Sequence, residues 1–286
     1  MQATAIDLSI IIVNYNTLTL TKQCVDSVFE HTHNIQFEII LVDNASTDGS
    51  RNYFINDKRI KYVYNETNLG FGKANNIGFE HSTGNIILCL NSDTVVLNDI
   101  LEKMVRYIGE APDNIGLFGT RLIDKDNNTA VSFGTFPVWY NELLMRKTNK
   151  PSMTWTNHEQ DVDFVSGADL FIRKPLVAQL GLFDTDFFMY YEDVELAYRY
   201  RRNGYRAVVV NDSGIMHLEG HSSTNSYRKI RIMTNSYFTY LSKTMFVLKW
   251  KLVKSILLSR RMVTVWKYNW TLKEKGAYIF SLFQHK

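Results

Sequence analysis

The sequence predicts an α/β fold with a mostly parallel central sheet flanked by helices, followed by amphipathic helices at the C-terminal end. Three observations carry this expectation. Short apolar, β-branched runs alternate with segments of helical spacing through the first half. Each of those runs stops at a polar cluster. The charge is divided, since residues 228–286 hold 13 Lys+Arg against one acid, Glu274, whereas residues 1–227 are net −9.

Leu8-Ser9-Ile10-Ile11-Ile12-Val13 is apolar on both faces, as a buried parallel strand must be, and ends at Asn14-Tyr15-Asn16. Thr19 to His31 has helical spacing, and Phe37 to Val42 is a second buried strand that stops at Asp43, which makes a βαβ unit. The same pattern then predicts a strand at Ile60–Tyr64, a helix from Gly72 to Ser82, a strand at Asn85–Leu90 and a helix from Leu97 to Gly109. From residue 115 the pattern loosens into shorter strands. It returns to helical spacing over Val194–Asn203 and to a strand at Arg206–Val210. Tyr227–Lys286 mixes Lys and Arg with Phe, Leu, Ile, Val and Trp at helical spacing, which predicts two or three amphipathic helices.

A chain of 286 residues suits one α/β domain, residues 1–226, with a basic helical extension, residues 227–286. With 45% hydrophobic residues and four prolines, a disordered or fibrous chain is excluded. Cys24 and Cys89 fall in an amphipathic segment and an apolar run, so two buried thiols in a reducing compartment are expected rather than a disulfide framework. The N-terminal apolar run is short and has no basic region before it, which marks a first strand rather than a signal peptide. No run reaches the roughly 18 apolar residues of a membrane span.

In open α/β sheets, ligands lie beyond the carboxyl ends of the strands, where loops and helix N-termini offer unpaired donors. Asn91-Ser92-Asp93 follows such a strand. A carboxylate there either caps the next helix or holds a divalent cation, with oxygen ligands that suit Mg²⁺ or Mn²⁺. Asp43 likewise either builds a turn or accepts the imide N–H of uracil or thymine. Asn68-Leu69-Gly70-Phe71-Gly72-Lys73 offers glycines for close backbone approach at a helix start and a lysine for a phosphate. Glu192 and Asp193 follow the aromatic run Phe187–Tyr191. They serve as first-turn helix acids or as a general base with a supporting carboxylate. His217 is either a partly buried histidine or a nitrogen ligand beside Asp93 that favours Mn²⁺, and His221 is a second candidate.

Taken in order, these segments resemble the family 2 glycosyltransferases of the GT-A fold, and most closely a bacterial rhamnosyltransferase-like branch. The likeness runs through Ile11-Ile12-Val13-Asn14-Tyr15-Asn16, Val42-Asp43-Asn44-Ala45-Ser46-Thr47-Asp48-Gly49, Asn68–Gly72, Leu90–Asp93, Ser166-Gly167-Ala168, Gly181–Asp184, Tyr191–Leu196 and His217, over about residues 8–223. It implies that Asp43 reads the base and that Asn14 and Lys73 help to hold the nucleotide. It further implies that Asp93 and His217 carry the metal and that Asp193 is the catalytic base, with Glu192 as the alternative. Asn91 stands where the family motif has its first Asp. The motif of processive members is absent, which implies transfer of a single sugar; a single in-line displacement with Asp193 as base implies inversion at the anomeric carbon. The implied donor is dTDP-rhamnose, with a UDP-hexose as the alternative. The implied acceptor is a lipid-linked saccharide or a polysaccharide in cell-surface glycan biosynthesis.

The basic tail is expected to lie peripherally on the inner face of the cell membrane, Lys and Arg meeting anionic lipid and Trp, Phe and Leu entering the interface. The alternative is that its apolar faces pack on the catalytic domain or on a second copy in a homodimer. No feature points to nucleic acid. Two other classes compete with transfer: an inactive scaffold of the same fold, and a nucleotidyltransferase, whose glycine-rich basic N-terminal signature is missing.

Overall fold

The computed structural model describes residues 5–143, 155, 158–218 and 226–283. Three βα steps form the first half: β1 (Leu8–Asn14), α1 (Leu18–His31), β2 (Phe37–Asp43), α2 (Ser50–Phe54), β3 (Lys61–Tyr64), α3 (Phe71–Glu80) and β4 (Ile86–Asn91). Then come β5 (Thr94–Val96), α4 (Ile100–Glu110), β6 (Ile115–Thr120), β7 (Phe133–Gly134), α5 (Trp139–Leu143), β8 (Glu159–Val162), β9 (Phe164–Val165), β10 (Asp169–Arg173) and α6 (Lys174–Leu180). The order closes with α7 (Glu192–Arg202), β11 (Arg206–Val210), β12 (Ile215–His217), α8 (Ser226–Thr244), α9 (Val247–Thr264), a 3-10 turn at Val265–Lys267 and α10 (Leu272–Phe283).

Eight strands share one sheet in the order β3-β2-β1-β4-β10-β6-β11-β8. Six run in one direction; β10 and β8 run against them. The mostly parallel sheet expected from the buried apolar runs is therefore present. Sequence pattern did not foresee that β10 inserts antiparallel between β4 and β6, because a five-residue apolar run reads the same in either direction. The predicted boundaries hold to within a few residues, and Arg206–Val210 matches without a shift. The tail forms three helices.

Alternate residues of the strands face two layers. Leu8, Ile10 and Ile12 pack with Cys24, Val25 and Val28 of α1 and with Ile100, Leu101 and Met104 of α4. Ile11, Ile40 and Val42 face Ala74 of α3, Val177 of α6 and Leu196, Ala197 and Tyr200 of α7. Cys24 and Cys89 are free and buried, and burial pushes the Cys24 thiol up to about 12, so both act as small core residues. A third cluster joins Phe187 and Val194 to Tyr237, Phe238, Tyr240 and Leu241 of α8, to Trp250, Val253 and Leu257 of α9, and to Tyr278 and Leu282 of α10. No helix among the described residues is long and apolar enough to cross a membrane.

Candidate active site

Strand register decides what meets at the sheet's carboxyl edge. Asn14 is the partner of Asp43, and Val13 is the partner of Asn91, so the ends of β1, β2 and β4 lie side by side. Asn14 is fully buried. Its Oδ1 accepts from the hydroxyls of Thr17 (2.8 Å) and Thr21 (2.9 Å), and its Nδ2 donates to Ser46 Oγ at 3.1 Å. Thr17 in turn lies 3.1 Å from Ser92 Oγ, which ties the start of α1 to the loop after β4.

Asp43 is also fully buried. Its Oδ1 accepts from the Ser46 backbone N–H at 2.8 Å, and its Oδ2 accepts from Tyr62 Oη at 2.7 Å. The first bond is the turn expected after a strand; the second was not anticipated. Two lone-pair sites of the carboxylate remain for a further donor. Asn44, another residue missed as a site component, knits this edge to the next loop. Its Nδ2 donates to Asn68 Oδ1 and to the Gly70 carbonyl, and its Oδ1 accepts from Asn65 Nδ2 and Leu69 N. An asparagine directly after a strand-ending Asp was its only sequence signal. Lys73 is exposed on the first turn of α3, and no hydrogen bond or ion pair ties it to the other candidates among the described residues.

Gly70 occupies φ 86°, ψ 176°, a region essentially restricted to glycine. A Cβ there would lie 2.2 Å from the Phe188 carbonyl oxygen, which accepts from Phe71 N at 2.8 Å. The glycine seen at a helix start thus allows α3 to hold the loop that carries the acidic pair.

His217 reaches the site through a two-stranded ribbon that periodicity could not detect. β12 runs antiparallel to β5 with His217 opposite Thr94, and Leu218 N donates to the Asp93 carbonyl at 2.9 Å. The imidazole Nε2 then lies 3.3 Å from Asp93 Oδ1 and 3.4 Å from Asn91 Nδ2. Neighbouring ligands of an octahedral ion with bonds of about 2.1 Å are about 3 Å apart, so Asp93 and His217 fit two adjacent positions of one divalent cation. No group of three or more His, Cys, Asp or Glu side chains suited to a metal is found among the described residues. His221 lies outside the described residues.

The acidic pair opens α7 on a strained bend. Tyr190 and Tyr191 have φ of 69° and 68°, and each left-handed non-glycine residue costs about 1–3 kcal/mol. Asp193 Oδ2 accepts from Gly167 N at 3.1 Å and Oδ1 from Val194 N at 2.8 Å. Asn91 N donates to the Ala168 carbonyl at 3.0 Å, so the single turn Gly167-Ala168 links the Asp93 strand end to Asp193. Burial raises the Asp193 carboxyl above its ordinary range, opposed by those backbone N–H donors. Glu192 is 6% exposed and its Oε2 has no hydrogen-bond partner. Burial, then the Asp193 charge, raises its carboxyl well above the ordinary carboxylate range. Burial thus raises both carboxyls, and only Asp193 is offset by backbone N–H donors from Gly167 and Val194.

A separate concavity of about 470 Å³, lined by Phe133, Asp161, Asp163, Arg201 and Arg206, contains none of these residues. Asn14, Asp43, Asn91 and Asp93 instead gather at the carboxyl ends of β1, β2 and β4.

Residues 9–165 match the family model for glycosyl transferase family 2. The chain is 26% identical over 201 residues to the low-salt glycan biosynthesis hexosyltransferase Agl10 of Haloferax volcanii, covering 68% of this chain and 62% of that protein. Among solved structures it resembles S. aureus TarS with a TM-score of 0.57 at 15% identity, covering 97% of this chain and 43% of TarS. It also resembles GalNAc-T7 with UDP, GalNAc and Mn²⁺, with a TM-score of 0.58 at 18% identity, covering 84% of this chain and 50% of the other. These structural likenesses support the GT-A-like fold. The chain spans less than two thirds of the length of each of these relatives.

Proposed function

The chain belongs to glycosyl transferase family 2, and from that membership we propose that it moves a single sugar from a nucleoside-diphosphate donor to a glycan acceptor with inversion at the anomeric carbon. The observation that carries this reading is the convergence of Asp93 and His217 at 3.3 Å, one backbone turn away from Asp193. A transferase of this kind needs a charge sink for the leaving diphosphate and a base for the incoming hydroxyl, on opposite sides of one sugar.

Asp93 and His217, with Asn91 beside them, would hold a divalent cation, Mn²⁺ or Mg²⁺. When bound, that ion supplies positive charge against the oxygens of the leaving diphosphate. GalNAc-T7 was solved with UDP and Mn²⁺, which is consistent with this assignment. Asp193 takes the proton of the acceptor hydroxyl as its oxygen bonds to the anomeric carbon and the carbon–oxygen bond to the diphosphate breaks. Asp193 is favoured over Glu192 as the base because its carboxylate is oriented by two backbone N–H donors, whereas Glu192 Oε2 has no hydrogen-bond partner. Asp43 would accept the imide N–H of the base, Asn14 and Asn68 brace that pocket, Gly70 and Ser92 shape its walls, and Lys73 would reach a phosphate.

Thymine and uracil present the same imide, so Asp43 suits either. We assign dTDP-rhamnose as donor on the family branch, with a UDP-hexose as the alternative. The acceptor is a lipid-linked saccharide or polysaccharide of the cell surface, a reading supported by the glycan-biosynthesis name of Agl10. Peripheral contact with the inner face of the cell membrane is the reading supported by Phe246, at the start of α9, and by Leu248 and Leu252 within it, which are 89%, 83% and 64% exposed beside Lys249 and Lys251.

Incubating the purified chain with Mn²⁺ and a panel of nucleotide sugars tests the reading. Release of nucleoside diphosphate that requires metal and increases with a saccharide acceptor supports transfer. Release of pyrophosphate would instead mark a nucleotidyltransferase, and no release from any donor an inactive scaffold.

A further inference from the structure

The mechanism above leaves α8 unused, yet this helix grips the loop bearing the acidic pair at three points. Lys243 Nζ lies 2.8 Å from Asp184 Oδ2 and 2.7 Å from Asp186 Oδ2, at the start of that loop. Ser236 Oγ donates to the Met189 carbonyl at 2.7 Å, directly before the two left-handed tyrosines. The ring of Tyr191, at the end of the bend, packs on Tyr237 and Tyr240 with centroids 5.5 and 6.0 Å away. Positions 236, 240 and 243 fall at i, i+4 and i+7, so one face of α8 presents Ser236, Tyr240 and Lys243 to the loop, with Tyr237 at its border. The contacts follow the loop in order from its start to its end.

Left to itself, a bend of two consecutive left-handed aromatic residues relaxes, because such conformations persist only where the surroundings over-determine them. On the near side, α3 holds Phe188 through the Phe71 N–H. Past the bend, Tyr191 O accepts from Glu195 N, and Asp193 accepts from Gly167. Ser236 acts between these two anchors, on the residue before the bend, and is itself 4% exposed, so its hydrogen bond does not compete with water. Its small hydroxyl contributes little apolar packing beside Tyr237, Phe238 and Leu241. Its contribution is therefore directional.

We propose that α8 belongs to the catalytic apparatus, with Ser236 as the positioning residue that fixes the Tyr190–Tyr191 bend and thereby the aim of Asp193. The proposal rests on Asp193 being the base. It assigns a catalytic contribution to a helix that lies in the basic tail, beyond the matched family segment, residues 9–165. Contacts of α9 with its surroundings would then reach the base through a single helix–helix junction.

Steady-state kinetics of the full chain, with the donor and acceptor that support turnover, test it. The variants are Ser236→Ala, Ser242→Ala as a matched control, and Asp193→Asn. Ser242 Oγ donates only within α8, to the Thr239 carbonyl, and so removes the same hydroxyl without touching the loop. The expected result is a kcat lowered about tenfold in Ser236→Ala, since displacement of a reacting group by a fraction of an ångström costs this order of rate. Affinity for the Mn²⁺ nucleoside diphosphate should stay within about twofold in that variant, because no donor contact is lost. Ser242→Ala should keep the wild-type kcat. Wild-type kcat in Ser236→Ala, or an equal loss in both serine variants, would overturn the proposal. If Ser236→Ala does not fold, Lys243→Met carries the same test with the same two outcomes. Near-normal turnover by Asp193→Asn would reject the base assignment itself, which keeps the two failures apart.

Discussion

The imidazole Nε2 of His217 lies 3.3 Å from Asp93 Oδ1, although Asp93 sits in the turn before β5 and His217 ends β12, far along the chain. Each is held by backbone pairing of β5 with β12, so the pair is presented as a preformed two-point claw.

That geometry predicts divalent-ion binding that depends on both side chains. Asp93→Asn and His217→Ala should each weaken Mn²⁺ binding in the presence of nucleoside diphosphate by about tenfold or more. Titration followed by Mn²⁺ electron paramagnetic resonance reads the free ion directly. Unchanged affinity in either variant would remove that residue from the metal site.

The unequal environments of the two acids predict unequal variants. Asp193→Asn should lower kcat by about 10²–10⁴ with nucleotide binding retained, the range expected for loss of a general base. Glu192→Gln, which keeps the shape of a side chain whose ionisation burial disfavours, should keep most of its turnover. Since burial raises the Asp193 carboxyl, activity should fall in acid at a higher pH than an exposed aspartate would allow. A pH–kcat profile for both enzymes checks the two statements together.

Asp169 predicts a pH dependence of stability. It is fully buried in β10, its Oδ2 accepting from the Thr120 backbone N–H and hydroxyl at 2.7 Å each, while its Oδ1 has no partner. Burial raises it to about 7, whereas in the unfolded chain it ionises near pH 4. The unfolded state therefore releases its proton first as pH rises. The stability contributed by the protonated buried acid is complete below about pH 4 and lost as pH passes through 7, by about 4 kcal/mol at full titration. Asp169→Asn keeps an oxygen for Thr120 and cannot ionise. Denaturant midpoints measured from pH 5 to 8 should fall in the wild type and stay nearly level in the variant.

Gly70→Ala should destabilise the chain by at least about 2 kcal/mol, combining a backbone region closed to alanine with a clash against the Phe188 carbonyl. Urea unfolding gives the number. Gly109→Ala, where an added Cβ meets nothing within 4 Å, is the control and should leave stability near or above wild type.

The outward stripe Leu248, Leu252 and Ile256 on a basic helix predicts binding to anionic vesicles that diminishes with salt. Flotation with phosphatidylglycerol liposomes should carry the wild type upward and leave a Leu248→Ser, Leu252→Ser variant at the bottom. Equal flotation of both would assign the stripe another partner.

Much of the site was legible before any coordinates. A buried strand must end where its apolar run ends, so Asn14, Asp43 and Asn91–Asp93 announce the sheet's carboxyl edge directly. Glu192 and Asp193 were visible as paired acids at a helix start. Tyr62 and Ser236 were not, since a hydroxyl in a strand or helix carries no periodic signal of the partner it will meet.

The order of residues by itself determined which segments become strands and helices, where the polar strand ends fall, and that the tail is basic, because these depend on local propensity and on the spacing of apolar side chains. Tertiary structure alone decided that β10 enters antiparallel, that β12 delivers His217 to Asp93, and that α8 braces the bend before Asp193. Those outcomes depend on pairing and packing between distant segments, whose energies are set by the whole core and leave no mark at short range.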